Sequence, residues 1–436
     1  MHDNYFSFGF IFGVNLLSLR ESTLGLFQLL RLHTSNHVLF TITGSFSNPG
    51  PYGGLIAVVL SILIAYLWLY RRNADRWYEK GIRWLSLFSA ALCVIVLPAT
   101  MSRAAWLSCG VAVLVLGFKE MNVGLWIRNN KFYSCILVVA VVAMSAGVFF
   151  LKKDSAIGRF HIWHMELRAI ADRPWTGHGR GSVLGAYGDA QAEYFAEKER
   201  SATIVRVAGC PEYAFNEYLK VGVEYGIPAM ILLSVFVIAL ILLLLKFRNP
   251  LAYGAIALAV FSFFSYPFSL IERDKPETEI WQTSRMFCSI GLYEDFIEEM
   301  TPCYEALSDN YRFLYDFGYA LHNEEKYDES TKVLLQGATI SSDPMFYNII
   351  GKNLEAMGRY DEAEKAYLHS HHMVPCRLYP LTLLMEMKIR QQDTDQALRY
   401  ARKIVAMPVN ERHLTMVRLQ NDAKECVDSL SNIISD

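Results

Sequence analysis

The stretch from Gly158 to Gly226 reads G-R-F-H-I-W at Gly158–Trp163, D-R-P-W-T-G-H-G-R-G-S at Asp172–Ser182 and F-N-E-Y-L-K-V-G-V-E-Y-G at Phe215–Gly226. It is polar and aromatic, carries Arg and Glu, and lies between two strongly apolar runs. Function concentrates on loops that a rigid scaffold holds in place. What flanks this loop therefore decides the fold.

A helix needs about 20 apolar residues to cross the hydrocarbon core of a bilayer. Tyr52–Tyr70, Ile82–Ala99, Ala104–Phe118 and Phe132–Leu151 meet that description before the loop, and Ile227–Leu245 meets it after. Leu251–Ile271 is a sixth span, interrupted by Tyr266 and Pro267. Tyr5–Leu19 is a weaker seventh, short and ending at Arg20. From about residue 285 the chain reads as an ordinary soluble helical protein. The overall 53% hydrophobic and 19% charged residues therefore average two unlike halves. The expected fold is all-α: a polytopic helical membrane domain followed by an α-helical repeat domain. Expected boundaries are a weak N-terminal span and interfacial segment at 1–43, a membrane domain at 44–271 containing a loop at 152–226, and repeats at 272–436. The N-terminus has no basic n-region and no A-x-A site, so no cleavable signal peptide is expected.

Basic residues give an orientation. Arg71, Arg72, Arg76, Lys80 and Arg83 follow the Tyr52 span; Lys119, Arg128 and Lys131 follow the Ala104 span; Lys246 and Arg248 follow the Ile227 span. If every span crosses, these loops share one side, which the positive-inside rule makes cytoplasmic. Gly44–Pro51, Ser102 and Arg103, the long loop and everything after Ile271 are then expected outside the cytoplasm.

The C-terminal half repeats itself. Y-D-F-G-Y-A-L-H-N-E-E-K-Y-D-E-S (Tyr315–Ser330) aligns with N-I-I-G-K-N-L-E-A-M-G-R-Y-D-E-A (Asn348–Ala363), matching Gly318 to Gly351, Leu321 to Leu354 and Tyr327 to Tyr360. A degenerate third copy holds D-Q-A-L-R-Y-A at Asp395–Ala401, and Pro375 and Pro408 close the second and third units. A period of 33 to 34 residues resembles tetratricopeptide repeats. In such units small Gly and Ala let paired helices approach, and Tyr and Leu fill the space between them. Stacks of this kind commonly bind a protein partner, although a purely structural cap is the alternative.

Several function classes are excluded. A net charge of −2 with no basic tail argues against nucleic acid. The eight cysteines form no CxxC or Cys/His spacing, so no zinc site is expected. No span carries a charge well inside it and no inverted repeat is evident, which argues against a transporter.

The outer face holds the candidate chemistry. Arg103 in M-S-R-A-A-W-L and Arg159 in G-R-F-H-I-W stand at span ends, with Arg173 and Arg180 further along the loop. A guanidinium grips phosphate oxygens in bidentate fashion; a single interfacial Arg is equally suited to snorkelling. G-H-G-R-G (Gly177–Gly181) has backbone N–H groups to offer an anion, but chiefly lets the chain turn after a helix expected over Phe160–Ala171. His161 and His164 on that helix are a weak metal pair, packing being favoured. Asn216 and Glu217 are candidate substrate contacts, as is His178. Glu212, Glu217 and Glu224 are the nearest carboxylates to serve as a general base, against the plainer reading of a solvated helix face.

Together with T-G-S-F-S-N-P-G-P-Y-G (Thr43–Gly53) and S-R-A-A-W-L (Ser102–Leu107), these runs resemble the O-antigen ligase and polymerase superfamily of bacterial inner-membrane glycosyltransferases, over roughly residues 40–270. The resemblance implies a GT-C-like helical membrane fold. It also implies transfer of a glycan from undecaprenyl diphosphate to a glycan, lipid A-core or protein acceptor in the periplasm, as in lipopolysaccharide biosynthesis, with no metal and no nucleotide-sugar cofactor. Arg103 and Arg159 would hold the diphosphate as charge develops on the leaving group. Two departures stand out. Where the family has a His thought to be the base, this chain has Phe215, which leaves Glu212 or His178 to replace it, or an inactive scaffold as the alternative. Against about a dozen family spans the chain shows six or seven, as if its N-terminal half were short.

Overall fold

The computed structural model describes residues 2–71, 76–121, 123–131, 153–265, 275–409 and 413–435. It is 78% helix, with no strand among the described residues. Contacts divide the chain into two compact units. The first comprises 1–152, 215–221 and 228–272; the second comprises 153–214, 222–227 and 273–436.

In the first unit the Pro49–Leu69 helix is central, packed against Arg103–Glu120, Trp77–Ala99, Leu251–Phe264 and His2–Leu29. Its start is written in S-N-P: the Asn48 side chain accepts from Gly50 N at 3.0 Å, and Pro49 opens the first turn without an N–H to satisfy. Tyr52, Ile56, Leu60 and Leu63 line its core face with Cys93, Ala105 and Phe261. Small residues permit that closeness. A Cβ on Gly54 would stand 2.5 Å from the Phe261 ring, and one on Gly254 would stand 2.4 Å from Ile62.

Among the described residues three helices are long and apolar enough to cross a membrane: Pro49–Leu69, Trp77–Ala99 and Glu217–Lys246. Arg103–Glu120 qualifies only together with Val123–Asn129, as a pair bent by 85°. Leu251–Phe264 is a shorter apolar helix of 14 residues. His2–Leu29 runs well past the expected Tyr5–Leu19, but Arg20 and Glu21 in its body keep it below the apolar threshold. The expected span Phe132–Leu151 and the end of Leu251–Ile271 lie outside the described residues. The Glu217–Lys246 helix makes the clearest physical case for a bilayer. None of its most apolar stretch is buried, and Leu232, Phe236 and Leu242 stand open. Exposed apolar area on this scale marks a lipid-facing surface.

The second unit joins the loop to the C-terminal helices. Its helix pairs are Tyr311–Asn323 with Tyr327–Thr339, Met345–Ala356 with Tyr360–Met373, and Tyr379–Arg390 with Thr394–Ala406. Each helix packs on the next, and Leu414–Ser435 follows the last. Leu321 and Leu354 are buried as expected. The expected role of the tyrosines is corrected. Tyr327 and Tyr360 begin the second helices, and Tyr360 is exposed. The space opposite Gly351 is filled by Tyr367, and that opposite Gly318 by Leu334. Tyr327 instead packs against the His322 ring near the end of the preceding helix, at 5.8 Å. Asp328, Glu329, Asp361 and Glu362 occupy first turns, where carboxylates meet the positive end of the helix.

The turns inside the three pairs share one left-handed residue: Glu325 (φ 59°), Gly358 (φ 75°) and Gln392 (φ 61°). A side chain in that region costs about 1–2 kcal/mol. Gln392→Gly is therefore expected to stabilise the third pair by about 1 kcal/mol after glycine's own entropy loss. A melting temperature that stays put or falls would sink this account of the turn.

Candidate functional site

The second and third motif runs of the loop meet largely through backbone. The Lys153–Asp172 helix ends at D-R-P, and the chain then turns through Trp175 to Ser182. His178 N donates to Val223 O at 2.8 Å, Gly179 N to Glu224 O at 3.0 Å, and Ile227 N to Pro174 O at 2.8 Å. D-R-P-W-T-G-H-G-R-G-S is thus laced to V-G-V-E-Y-G. Glycine is required at two places. Gly177 (φ 67°) would put a Cβ 2.4 Å from the Glu224 backbone, and Gly226 (φ 83°) would put one 2.6 Å from Trp175 O. Gly226 and Pro228 also break the Glu217–Lys246 helix at the edge of its apolar part.

Glu224 accounts for the anion that G-H-G-R-G invites. Its carboxylate, buried at 7% exposure, accepts from Gly181 N at 3.0 Å. The chain's own carboxylate occupies a backbone donor, so Glu224 is an anchor of the turn. Arg180, next to it, is exposed, and among the described residues it makes no ion pair. Asp172 draws two candidates together: its Oδ2 is 3.7 Å from Arg173 Nε and 3.8 Å from His178 Nε2. His178 Nε2 also lies 2.9 Å from Ala169 O.

The helix carrying Arg159 opens at Lys153, not after Gly158 as expected. Asp154 sits in its first turn, where the helix end favours a carboxylate. Gly158 is mid-helix, facing Val207 of the short Ala202–Val207 helix at ordinary contact distance. Arg159 is half-buried, beside exposed Phe160. His161 and His164 do not share a site. His161 is buried and its Nε2 is 2.8 Å from Gln191 Oε1, whereas His164 is exposed. Their rings contact Tyr194 at 5.6 and 5.5 Å.

Glu212 lies on the surface, 3.1 Å from Arg312 at the start of the first helix pair. Asn216 is buried, and its Oδ1 accepts from Tyr218 N and Leu219 N, both at 3.0 Å. That oxygen caps the helix. Glu217 has Lys220 at 3.6 Å. Phe215, immediately before the cap, is left-handed at φ 57°. Such a conformation is unusual for a bulky residue and is met more often with Asn, Asp or His. Arg103 is the first residue of its helix, after Ser102, whose side chain makes no cap bond. A cation there faces like-signed helix charge. Arg103, Asn216 and Glu217 belong to the first unit; Arg159, Arg173, His178, Arg180 and Glu212 belong to the second.

Sequence reasoning missed Gln191. It is fully buried on the Val183–Glu197 helix, where Oε1 accepts from Tyr187 Oη at 2.5 Å and Nε2 donates to Gly209 O at 3.1 Å and to Met373 O. One amide thus ties three parts of the loop to the end of a repeat helix. Around it His369 meets Asp189 at 3.0 Å, Ser342 Oγ donates to Pro211 O at 3.0 Å, and Arg377 reaches Cys210 Sγ at 3.3 Å. The signal was present in G-A-Y-G-D-A-Q-A, whose small residues mark a close-packed helix.

Burial lowers the pKa of His161. Burial first, then Lys403 and His372, pushes His371 down to about 3. Both imidazoles are therefore neutral in the folded unit. Their contribution is complete above the unfolded value near 6.5 and is lost as pH falls toward the folded value. At pH 5 the His371 contribution alone should weaken the unit by about 2 kcal/mol. A thermal melt of the chain at pH 5 and pH 7.5 checks this, and His371→Gln should flatten the difference.

No curated protein matches this chain. The protein-family model described as O-antigen ligase matches residues 88–234, a span that takes in Arg103, Arg159, the glycine turn and Phe215, so the chain is similar to O-antigen ligases over its polar loop and the helices on either side of it.

Proposed function

We propose that this protein is an inner-membrane glycosyltransferase that moves a glycan from undecaprenyl diphosphate to an acceptor hydroxyl on the periplasmic side. The observation that carries this reading is the O-antigen ligase match over residues 88–234, which includes both arginines at the ends of apolar segments. Arg103 at the start of its helix supports it, because a guanidinium grips phosphate oxygens in bidentate fashion. Arg159 offsets charge on the departing lipid phosphate, while Arg173 and Arg180 guide the glycan phosphate or sugar. His178, held by Asp172, and Glu212 are the available proton acceptors. Asn216 and Glu217 shape the start of the apolar helix under the sugar. The helix pairs, read as tetratricopeptide-like, hold the loop and leave other faces for a partner. The test is the purified chain in nanodiscs with a radiolabelled undecaprenyl-diphosphate oligosaccharide and an acceptor membrane extract. Transfer of label is expected; none, with folded protein, would leave the reading without support.

Phe215 favours a second reading, a membrane-anchored scaffold without catalysis, because phenyl cannot accept a proton. Phe215→His separates the two. The left-handed backbone at 215 suits His better than Phe, and a general base contributes about 10²–10⁴ in rate. A gain of tenfold or more, with a new rise in rate between pH 5.5 and 7.5, is expected if the site is otherwise assembled. No gain would favour the scaffold or a base elsewhere.

A further inference from the structure

The segment between His2–Leu29 and Pro49–Leu69 turns its large apolar side chains outward. Buried polar groups at its two ends tie it down. Gln28, buried at 1% exposure, accepts at Oε1 from Thr43 N (2.9 Å) and Gly44 N (2.8 Å), and its Nε2 donates to Gly44 O (3.0 Å) and Thr34 O (3.3 Å). Ser35 Oγ and Asn36 N lie 3.2 Å from Thr43 Oγ1, and Asn36 Nδ2 donates to Phe46 O at 3.2 Å. Buried Glu21 accepts from Ser45 N at 3.1 Å and Ser45 Oγ at 2.9 Å. Its apolar groups point outward: Val38 is fully exposed, Leu39 is 82% and Leu32 is 72% exposed, and Leu30 and Phe40 are also open.

A loop bound for water would turn its Val, Leu and Phe in. Here a buried amide and a buried carboxylate hold the backbone so that these stay outside, beside the exposed Arg31, His33 and Asn36. We infer that residues 30–40 form a lipid-seated lip at one end of the first unit, with Leu32, Val38 and Leu39 in the boundary between headgroups and acyl chains. Three features select lipid over a protein occupant. The loop joins two helices of the membrane-type unit, so its end of the bundle meets the interface. Arg31, His33 and His37 are interspersed among the apolar tips, the pattern of a segment that lies in the interface with polar groups at headgroup level. The tips are aliphatic and scattered along a turn rather than gathered into a flat face.

The inference rests on the first unit being membrane-embedded, and the experiment separates the two. A nitroxide is placed at Val38→Cys or Leu39→Cys in the full chain, with reactive native cysteines replaced by serine, in nanodiscs of phosphatidylethanolamine and phosphatidylglycerol. Ser47→Cys serves as the polar reference in the same segment, and Leu232→Cys as the reference on the apolar helix. At 38 and 39, collision with oxygen should exceed collision with a water-soluble nickel chelate several-fold, with the order reversed at 47. Nickel dominance at 38 and 39 would overturn the lip. Low access for both reagents would also overturn it, by showing a protein cover such as a second copy. Oxygen dominance at 232 combined with either of those results would sink the lip alone and leave the membrane reading of the unit intact.

Discussion

Arg159→Ala is expected to abolish glycan transfer, with a loss of at least a hundredfold in rate in nanodiscs and no surface glycan restored in a deletion strain complemented with the variant. The magnitude follows from the role proposed. Removing one preorganised donor aimed at charge that develops in the transition state costs about 10²–10³. A guanidinium on a helix is such a donor, and half-burial strengthens it by excluding water. Arg159→Lys should recover little, since an ammonium cannot reproduce two parallel hydrogen bonds to phosphate. The defect should fall on the chemical step, so saturating donor does not rescue it. Normal surface glycan from a variant present at wild-type level in the membrane would remove Arg159 from the mechanism.

Gly185→Val is the second large effect, and it is structural. A Cβ at 185 would lie 2.2 Å from Thr339 O and 2.6 Å from Ala338 O. Both obstacles are backbone at the end of a repeat helix, so neither can swing aside. Overpacking a tight contact costs about 1–3 kcal/mol where neighbours adjust, and rigid backbone puts this case at the upper end. The Val183–Glu197 helix should leave the helix pairs, taking with it the Gln191 bonds to Met373 and Gly209. The expected readouts are a lower melting temperature and protease cleavage near Arg200–Arg206, with the helix pairs still folded. Glycan transfer should fall as well, because the proposed Arg159 helix packs on the one displaced. An unchanged melt and cleavage pattern would refute the close docking.

Much of this was legible in the sequence because it depends on periodicity and local chemistry. Three of the apolar runs return within membrane-length helices, two with nearly the expected bounds and the third inside a longer helix that opens at Glu217. The 33- to 34-residue spacing returns as three helix pairs whose first helices start at Tyr311, Met345 and Tyr379. The glycine-rich turn is a turn. What failed depends on which atoms meet. Glu224 looked like a free carboxylate until Gly181 N was found on it. Tyr360 matched its repeat partner and still points to solvent.

The sequence by itself determined an all-helical chain with an apolar part, a repeated part and a polar loop between apolar runs, since hydropathy and period are properties of a chain read in order. Only the tertiary structure decided that the loop packs with the helix pairs, that Gln191 holds it there, and that the 30–40 segment wears its apolar side outward. Those outcomes rest on contacts between residues up to 182 positions apart. A single buried amide, or a glycine too small to clash, has no periodicity to announce it.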